Sequence, residues 1–348
     1  SPTIYVKFAV PGSDVSIVIW TTTPWTIPGN RAIAYSPTLE YGVYEIAEAG
    51  EGAFGKAGER IALADVLADQ TAKHAKITLK RVGDFKANGL KAAHPFRGQG
   101  YEFDVPLLAG EHVTADTGTG FVHTAPGHGE EDFELMLSTF EGYAAKNPDA
   151  FSIVAEDGSF RASVPLFAGK RILTPEGKDG DANGAVIKEL IAANALLAKG
   201  TLRHSYPHSW RSKAPVIFRA TPQWFAYMDK PFKGSNGKTL RQIAMQAISD
   251  TKWYPKTGQN RIGSMVEGRP DWVLSRQRAW GVPIAIFVHK ETQEILNDAA
   301  VNARIKEIFE KEGADAWFNS PPSRFLGNHN ADDYEQVRDI LDVWFDSG

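Results

Sequence analysis

The sequence predicts an α+β fold, and three observations carry that prediction. Up to about residue 205 the chain alternates and clusters β-branched residues as strands do. Helical periodicity in that region is confined to a few stretches. Beyond residue 205 the composition turns more basic, more aromatic and more helical, so strands and helices are largely segregated along the chain.

Taken in order, Ile4, Val6 and Phe8 alternate with polar or small neighbours, and Val15 to Trp20 is a β-branched run. Thr21-Thr22-Thr23-Pro24-Trp25-Thr26-Ile27-Pro28-Gly29-Asn30 follows, and its two prolines and one glycine make it a loop. Residues 61–75 are expected to be helical, and Ile77 starts another strand. Tyr101 to Thr124 reads as short strands broken by Gly110, Gly118 and Gly120. After His128-Gly129 a helix is expected, because Phe133, Met136, Leu137 and Phe140 share one face. A second helix is expected over 185–199, with Gly200 as its stop. Residues 238–250 and 298–312 are further helix candidates, and Pro321-Pro322 marks a loop.

The 348 residues suffice for about two domains. With 43% hydrophobic and 23% charged residues the chain can bury cores and stay soluble. No apolar run approaches the roughly 20 residues that cross a bilayer, and no secretory signal opens the chain. The absence of cysteine excludes disulfides and thiolate metal sites and is compatible with the cytosol. A net charge of −4 announces no global basic field, so RNA contacts would come from local patches.

Four clusters could carry chemistry. The threonine loop places four hydroxyls (Thr21, Thr22, Thr23, Thr26) within six residues at a strand end, able to orient water and hold a polar substrate. The plainer alternative is a turn whose threonines bond their own backbone. Gly118 to Asp132 runs glycine turn, strand, glycine turn, helix start. Its acidic residues complement a helix dipole, and that suffices for Glu130 and Glu131. Pro126 and two glycines separate His123 from His128, so the pair cannot share a helix face as zinc-binding histidines do. Trp272 to Ile284 offers Arg276 and Arg278 beside tryptophans, either an anion clamp or a surface pair. The last cluster is Asp342-Val343-Trp344-Phe345-Asp346-Ser347-Gly348.

In this order the clusters resemble the isoleucyl-tRNA synthetase family. Trp20 to Asn30 is similar to the threonine-rich peptide of its editing domain, and Gly118 to Asp132 to that domain's second signature. Ser275 to Ile284 and Asp342 to Gly348 resemble segments of the catalytic Rossmann-type domain, with His204 to Phe225 as the junction. Thr23 stands where valyl and leucyl relatives typically carry arginine, and His123 where the valyl type usually lacks histidine.

The resemblance implies a β-barrel-like editing domain over 1–205 and a return segment over 206–270. A partial α/β Rossmann-type region over 271–348 follows, with a small insertion around 290–335. It implies hydrolysis of valyl-tRNA(Ile), and possibly valyl-adenylate, by a fragment of an isoleucine–tRNA ligase. The family's HIGH and KMSKS motifs do not occur in these residues, so no aminoacyl-adenylate synthesis is expected. The implied partners are tRNA(Ile) with its aminoacylated 3′ end and noncognate valine, with no membrane, in a cytoplasmic monomer. Editing needs no cofactor, ATP and Mg serve the full-length ligase, and no zinc is expected because Pro207-His208-Ser209-Trp210 lacks cysteine.

By the same resemblance, Asp132 holds the substrate's α-ammonium. His123 lines the side-chain pocket and excludes isoleucine. Thr21, Thr22, Thr23 and Thr26 surround the ester and a water that attacks directly, with no nucleophilic side chain. Asn30 is a further functional position, and Trp20 and Trp25 shape the wall and the adenosine site. His123 is not the general base, having no evident carboxylate to orient it.

Overall fold

The alternating and β-branched runs near the start become β1 (Pro2–Ala9) and β2 (Val15–Thr21), an antiparallel pair with Ile4 opposite Thr21 and Phe8 opposite Ile17. In the computed structural model residues 1–348 are described apart from Arg211 and Ala279, and apart from the side chain of Ala145. Arg211 of the junction and Ala279 of the Ser275–Ile284 stretch therefore lie outside the described residues. The chain forms two units, Ser1–Thr221 and Pro222–Gly348.

In the first unit the threonine loop is a 3₁₀ turn, Pro24–Gly29, with all six residues buried. Next come β3 (Ala32–Tyr35), β4 (Tyr41–Ala49) and β5 (Arg60–Ala64). α1 (Ala68–Ala75) and β6 (Ile77–Asp84) follow, so the helix expected over 61–75 begins seven residues late (68 against 61). Ile61 and Leu63 instead pair with β4, where their side chains are buried. β7 (Lys91–Ala93), β8 (Asp104–Ala109) and β9 (Phe121–Thr124) complete the middle of the unit. The expected helix after Gly129 is α2 (Glu130–Thr139), followed by the short α3 (Tyr143–Lys146) and α4 (Pro148–Phe151).

α5 (Ala182–Ala192) ends well before Gly200, because residues 196–201 are β10 (Leu196–Thr201), paired antiparallel with β1. The helix-favouring Ala-Leu-Leu-Ala sequence is overridden there: Leu196 and Leu197 are buried, and the exposed edge of β1 gains a ladder of hydrogen bonds.

The ten strands form one mixed sheet, ordered β6-β4-β5-β2-β9-β3-β8-β7, with β1 on β2 and β10 on β1. Among the described residues no ring of hydrogen bonds closes it into a barrel. Ile4, Phe8, Ile17, Ile33 and Phe121 form part of its main core with Phe96, Phe160 and Phe167.

The second unit opens with β11 (Phe225–Ala226), α6 (Leu240–Asp250) and α7 (Thr257–Glu267). A capping box between Thr239 and Gln242 starts α6. β12 (Trp272–Val273), β13 (Ser275–Arg276) and β14 (Phe287–His289) precede α8 (Ala299–Glu312), whose amides at Ala300 and Val301 donate to Asp298. α9 (Ala316–Asn319), α10 (Ser323–Leu326), β15 (Tyr334–Gln336), β16 (Ile340–Leu341) and α11 (Val343–Ser347) close the chain. The pairs β11–β12, β13–β16 and β14–β15 are all antiparallel. A complete Rossmann-type sheet needs parallel strands joined by crossovers, and residues 222–348 assemble none among those described. The expectation of an α+β protein is met.

Candidate active site

The site is built by one short strand that pairs with both ends of the threonine loop. β2 enters the loop and β3 leaves it. β9 lies between them, parallel to β2 at Trp20–Val122 and antiparallel to β3 at Ile33–His123. Residues from the two signature stretches are thereby held against each other, with His123 beneath the 3₁₀ turn.

His123 is 7% exposed and has a partner on each ring nitrogen. Asn30 Nδ2 donates to His123 Nδ1 at 2.7 Å and to the Ala32 carbonyl at 2.8 Å. With Nδ1 an acceptor, the ring proton sits on Nε2, which donates to Thr26 Oγ1 at 3.0 Å. Thr26 Oγ1 in turn donates to the Thr23 carbonyl at 2.8 Å. Thr23 Oγ1 lies 3.4 Å from Thr26 Oγ1 and 3.1 Å from Thr21 Oγ1. A single hydrogen-bonded chain thus joins Asn30, His123, Thr26, Thr23 and Thr21. Burial, with the neighbouring His128 second, pulls the His123 pKa down to about 3, so the ring is neutral at physiological pH. Neither nitrogen is free to accept a proton from water.

The hollow beside this chain has a volume of about 250 Å³. Thr21, Thr22, Trp20 and His123 line it, together with Val122 and with His112 from the connection before β9. Among the described residues the Thr22 hydroxyl makes no hydrogen bond, which leaves it available to a ligand or water. The loop's threonines therefore divide: Thr21, Thr23 and Thr26 build the turn, as the plainer alternative required, and Thr22 is spare.

Asp132 stands in the first turn of α2 and is not among the residues lining that hollow. Its Oδ2 accepts from the Ala125 amide at 2.8 Å, two residues beyond His123. Burial lifts its carboxyl above the ordinary range, against the opposing effects of the Ala125 amide and the charge of His112. His112 lines the hollow, and its Nε2 is buried without a partner among the described residues. Trp25 faces elsewhere: it packs edge-on against His128 at 4.8 Å, and its amide donates to Asn183 Oδ1 at 3.0 Å.

Sequence reasoning did not single out His112, His94 or Asn183. His94 Nε2 donates to the Ile27 carbonyl at 3.0 Å and so holds the middle of the 3₁₀ turn. None of the three lies in a periodic or motif-like stretch, and no sequence signal marks them. Among the described residues no group of three or more His, Asp, Glu or Cys could hold a metal ion. No helix of the described residues is long and apolar enough to cross a membrane.

Residues 23–348 match the family of tRNA synthetases class I (I, L, M and V). The chain belongs to that family. It is 55% identical to the isoleucine–tRNA ligase of Mesorhizobium japonicum, over 96% of this chain and 35% of the relative. It is 52% identical to the isoleucine–tRNA ligase of Rhodopseudomonas palustris, over 100% of this chain and 37% of the relative. The chain thus spans little more than a third of the length of these curated class I relatives. A Plasmodium falciparum cytosolic leucyl-tRNA synthetase editing domain matches 42% of this chain and 68% of its own at 10% identity, with a TM-score of 0.32.

Proposed function

We propose that the first unit hydrolyses the ester of misacylated valyl-tRNA(Ile), the editing reaction of an isoleucine–tRNA ligase. The observation that carries this reading is the immobilised neutral imidazole of His123 in the wall of a small hollow. One methylene is worth only about 1–3 kcal/mol of binding, and isoleucine against valine is the standard illustration of that limit. A second site that hydrolyses only what fits must have a wall that does not yield. Rotating His123 to admit another carbon would break its bonds to Asn30 and Thr26 in a buried setting, and each abandoned polar group costs about 1–3 kcal/mol.

In this reading Thr22, with Thr21 beside it, orients the water that adds to the ester carbonyl. The bond to the ribose oxygen then breaks, and the products are valine and a free tRNA 3′ end. Asp132, in the first turn of α2 and outside the lining of the hollow, is assigned to the α-ammonium as a carboxylate by the family resemblance. Trp20 forms part of the wall. The hydrolysis uses neither ATP nor a metal; those belong to ligation by a full-length enzyme.

The test is deacylation of valyl-tRNA(Ile) and isoleucyl-tRNA(Ile) by the parent chain and two variants. Valine release by the parent should exceed isoleucine release. His123→Ala should bring the two rates together. Asp132→Ala should slow valine release roughly 10- to 100-fold, the worth of a hydrogen bond to a charged group. Valine release at the parent rate by Asp132→Ala, or selectivity unchanged in His123→Ala, would remove that residue's role.

A further inference from the structure

A second and larger hollow in the first unit, of about 520 Å³, lies on the other side of Asn30 in sequence, at Arg31. Arg31 Nη1 donates to the Asn30 carbonyl at 2.6 Å and to the Pro28 carbonyl at 3.2 Å. Its guanidinium carbon sits 4.6 Å from the centre of the Phe103 ring. Among the described residues no carboxylate comes within ion-pair distance of it. Burial disfavours its charged form, and the longer-range effects of Tyr143, Tyr101 and Asp149 offset this only in part.

Lys91 and Lys146 also open on this hollow. Lys91 is paired with Asp104, which among the described residues leaves Arg31 and Lys146 without an ion pair to a carboxylate. Asp104 is already held by Arg97 at 2.6 Å and Lys91 at 3.3 Å, and Asp149 is exposed at the rim. Phe140 and Tyr143 also line it, with ring centres 5.7 Å apart. A guanidinium with no ion pair, an exposed lysine and two aromatic rings around one cavity match a ligand with an anion at one end and a π-face at the other. The volume falls in the range of small-ligand pockets. A nucleotide has this chemistry, and the hollow shares Asn30 with the hydrolytic site through the backbone that Arg31 grips.

We infer that this hollow seats one nucleotide of single-stranded RNA, its phosphate on Arg31 and Lys146 and its base against Phe140 and Tyr143. The inference rests on the reading that the substrate is an RNA ester, and it adds where the strand bearing that ester is gripped. Arg31 then has two functions. It anchors the end of the threonine loop through two carbonyls, and it receives the strand whose terminus the loop must meet.

The probe is a fluorescein-labelled single-stranded RNA hexamer, followed by anisotropy across a salt series, with inorganic phosphate and adenosine as competitors. The parent chain should bind it. Lys146→Gln changes an exposed side chain, should weaken binding roughly five- to tenfold, and should flatten the salt dependence of log K by about 0.7. Tyr143→Ala should weaken binding about tenfold and leave that slope in place. Arg31→Lys should retain more affinity than Arg31→Gln. Affinity indifferent to both Lys146→Gln and Tyr143→Ala overturns the inference, as does no binding by the parent. Sensitivity to Lys146 and phosphate alone, with Tyr143→Ala silent, overturns it in favour of a bare anion site. Because binding is read without an ester, a chain that grips the hexamer through these residues yet hydrolyses nothing sinks only the editing reading. A chain that hydrolyses the ester while ignoring these substitutions sinks only this one.

Discussion

Three histidines around the threonine loop are neutral because they are enclosed, and this links loop geometry to acidity. His94 shows it most simply. Its ring is 2% exposed, stacks on Tyr101 at 4.5 Å, accepts from the Phe96 amide at 3.2 Å and donates to Ile27. Burial brings its pKa from 6.5 to about 3. The unfolded chain takes up this proton near pH 6.5 and the folded chain only near 3, so the stability it contributes is whole above 6.5 and declines as pH falls toward 3. Between pH 6.5 and 5 the loss from one such histidine is about 2 kcal/mol. His123, lowered to about 3, and His128, lowered to about 4, act with the same sign. Denaturant unfolding at pH 7 and pH 5 should show this decline, and His94→Gln should shallow it. A pH slope identical to the parent's would mean that His94 is not held neutral by the fold.

At the level of strands and turns, the site depends on how tightly the chain is brought into β9. Gly120, immediately before that strand, has a φ of +81°, and a Cβ there would stand 2.3 Å from the Ala64 Cβ and 3.4 Å from its Cα. Gly120→Ala therefore meets both a left-handed backbone and another strand. It should lower stability by about 2 kcal/mol or more, read from the denaturant midpoint. Because β9 carries His123, the same variant should also release isoleucine from isoleucyl-tRNA faster; loss of stability with selectivity intact would separate the strand from the sieve.

The strand assignments around this site were readable because β2 is a compact β-branched run and the loop after it is punctuated by proline and glycine. The partners of His123 were not readable. Asn30 and Thr26 lie 93 and 97 residues before it, and only the pairing of β9 with both flanks of the loop brings them to opposite ring nitrogens. β10 departs from its sequence pattern for a related reason. Its residues favour a helix locally, and the partner that turns them into a strand is β1, almost the whole unit away.

Across the molecule, the first unit includes most of the stretch that resembles a junction, up to Thr221. Residues 206–221 belong to it through particular bonds: the Ala220 amide to the Gly127 carbonyl at 2.7 Å, Arg219 to the Val154 carbonyl at 3.2 Å, and His128 Nδ1–H to the Phe218 carbonyl at 2.8 Å. At about 1 kcal/mol net per bond, a fragment ending at 205 should melt roughly 5–10 °C below one ending at 221. Equal melting temperatures would show that the stretch only rests on the surface.

The pairing of β1 with β10 has a mechanical consequence. Pro2 faces Thr201 and Ile4 faces Lys199, so the two outer ends of the ladder lie side by side. A pull that separates those ends loads the rungs one at a time, as a zipper opens, instead of shearing them together. Tension applied there would peel β10 away at low force, while β1 stays held to β2 by the rungs from Ile4–Thr21 to Ala9–Ser16.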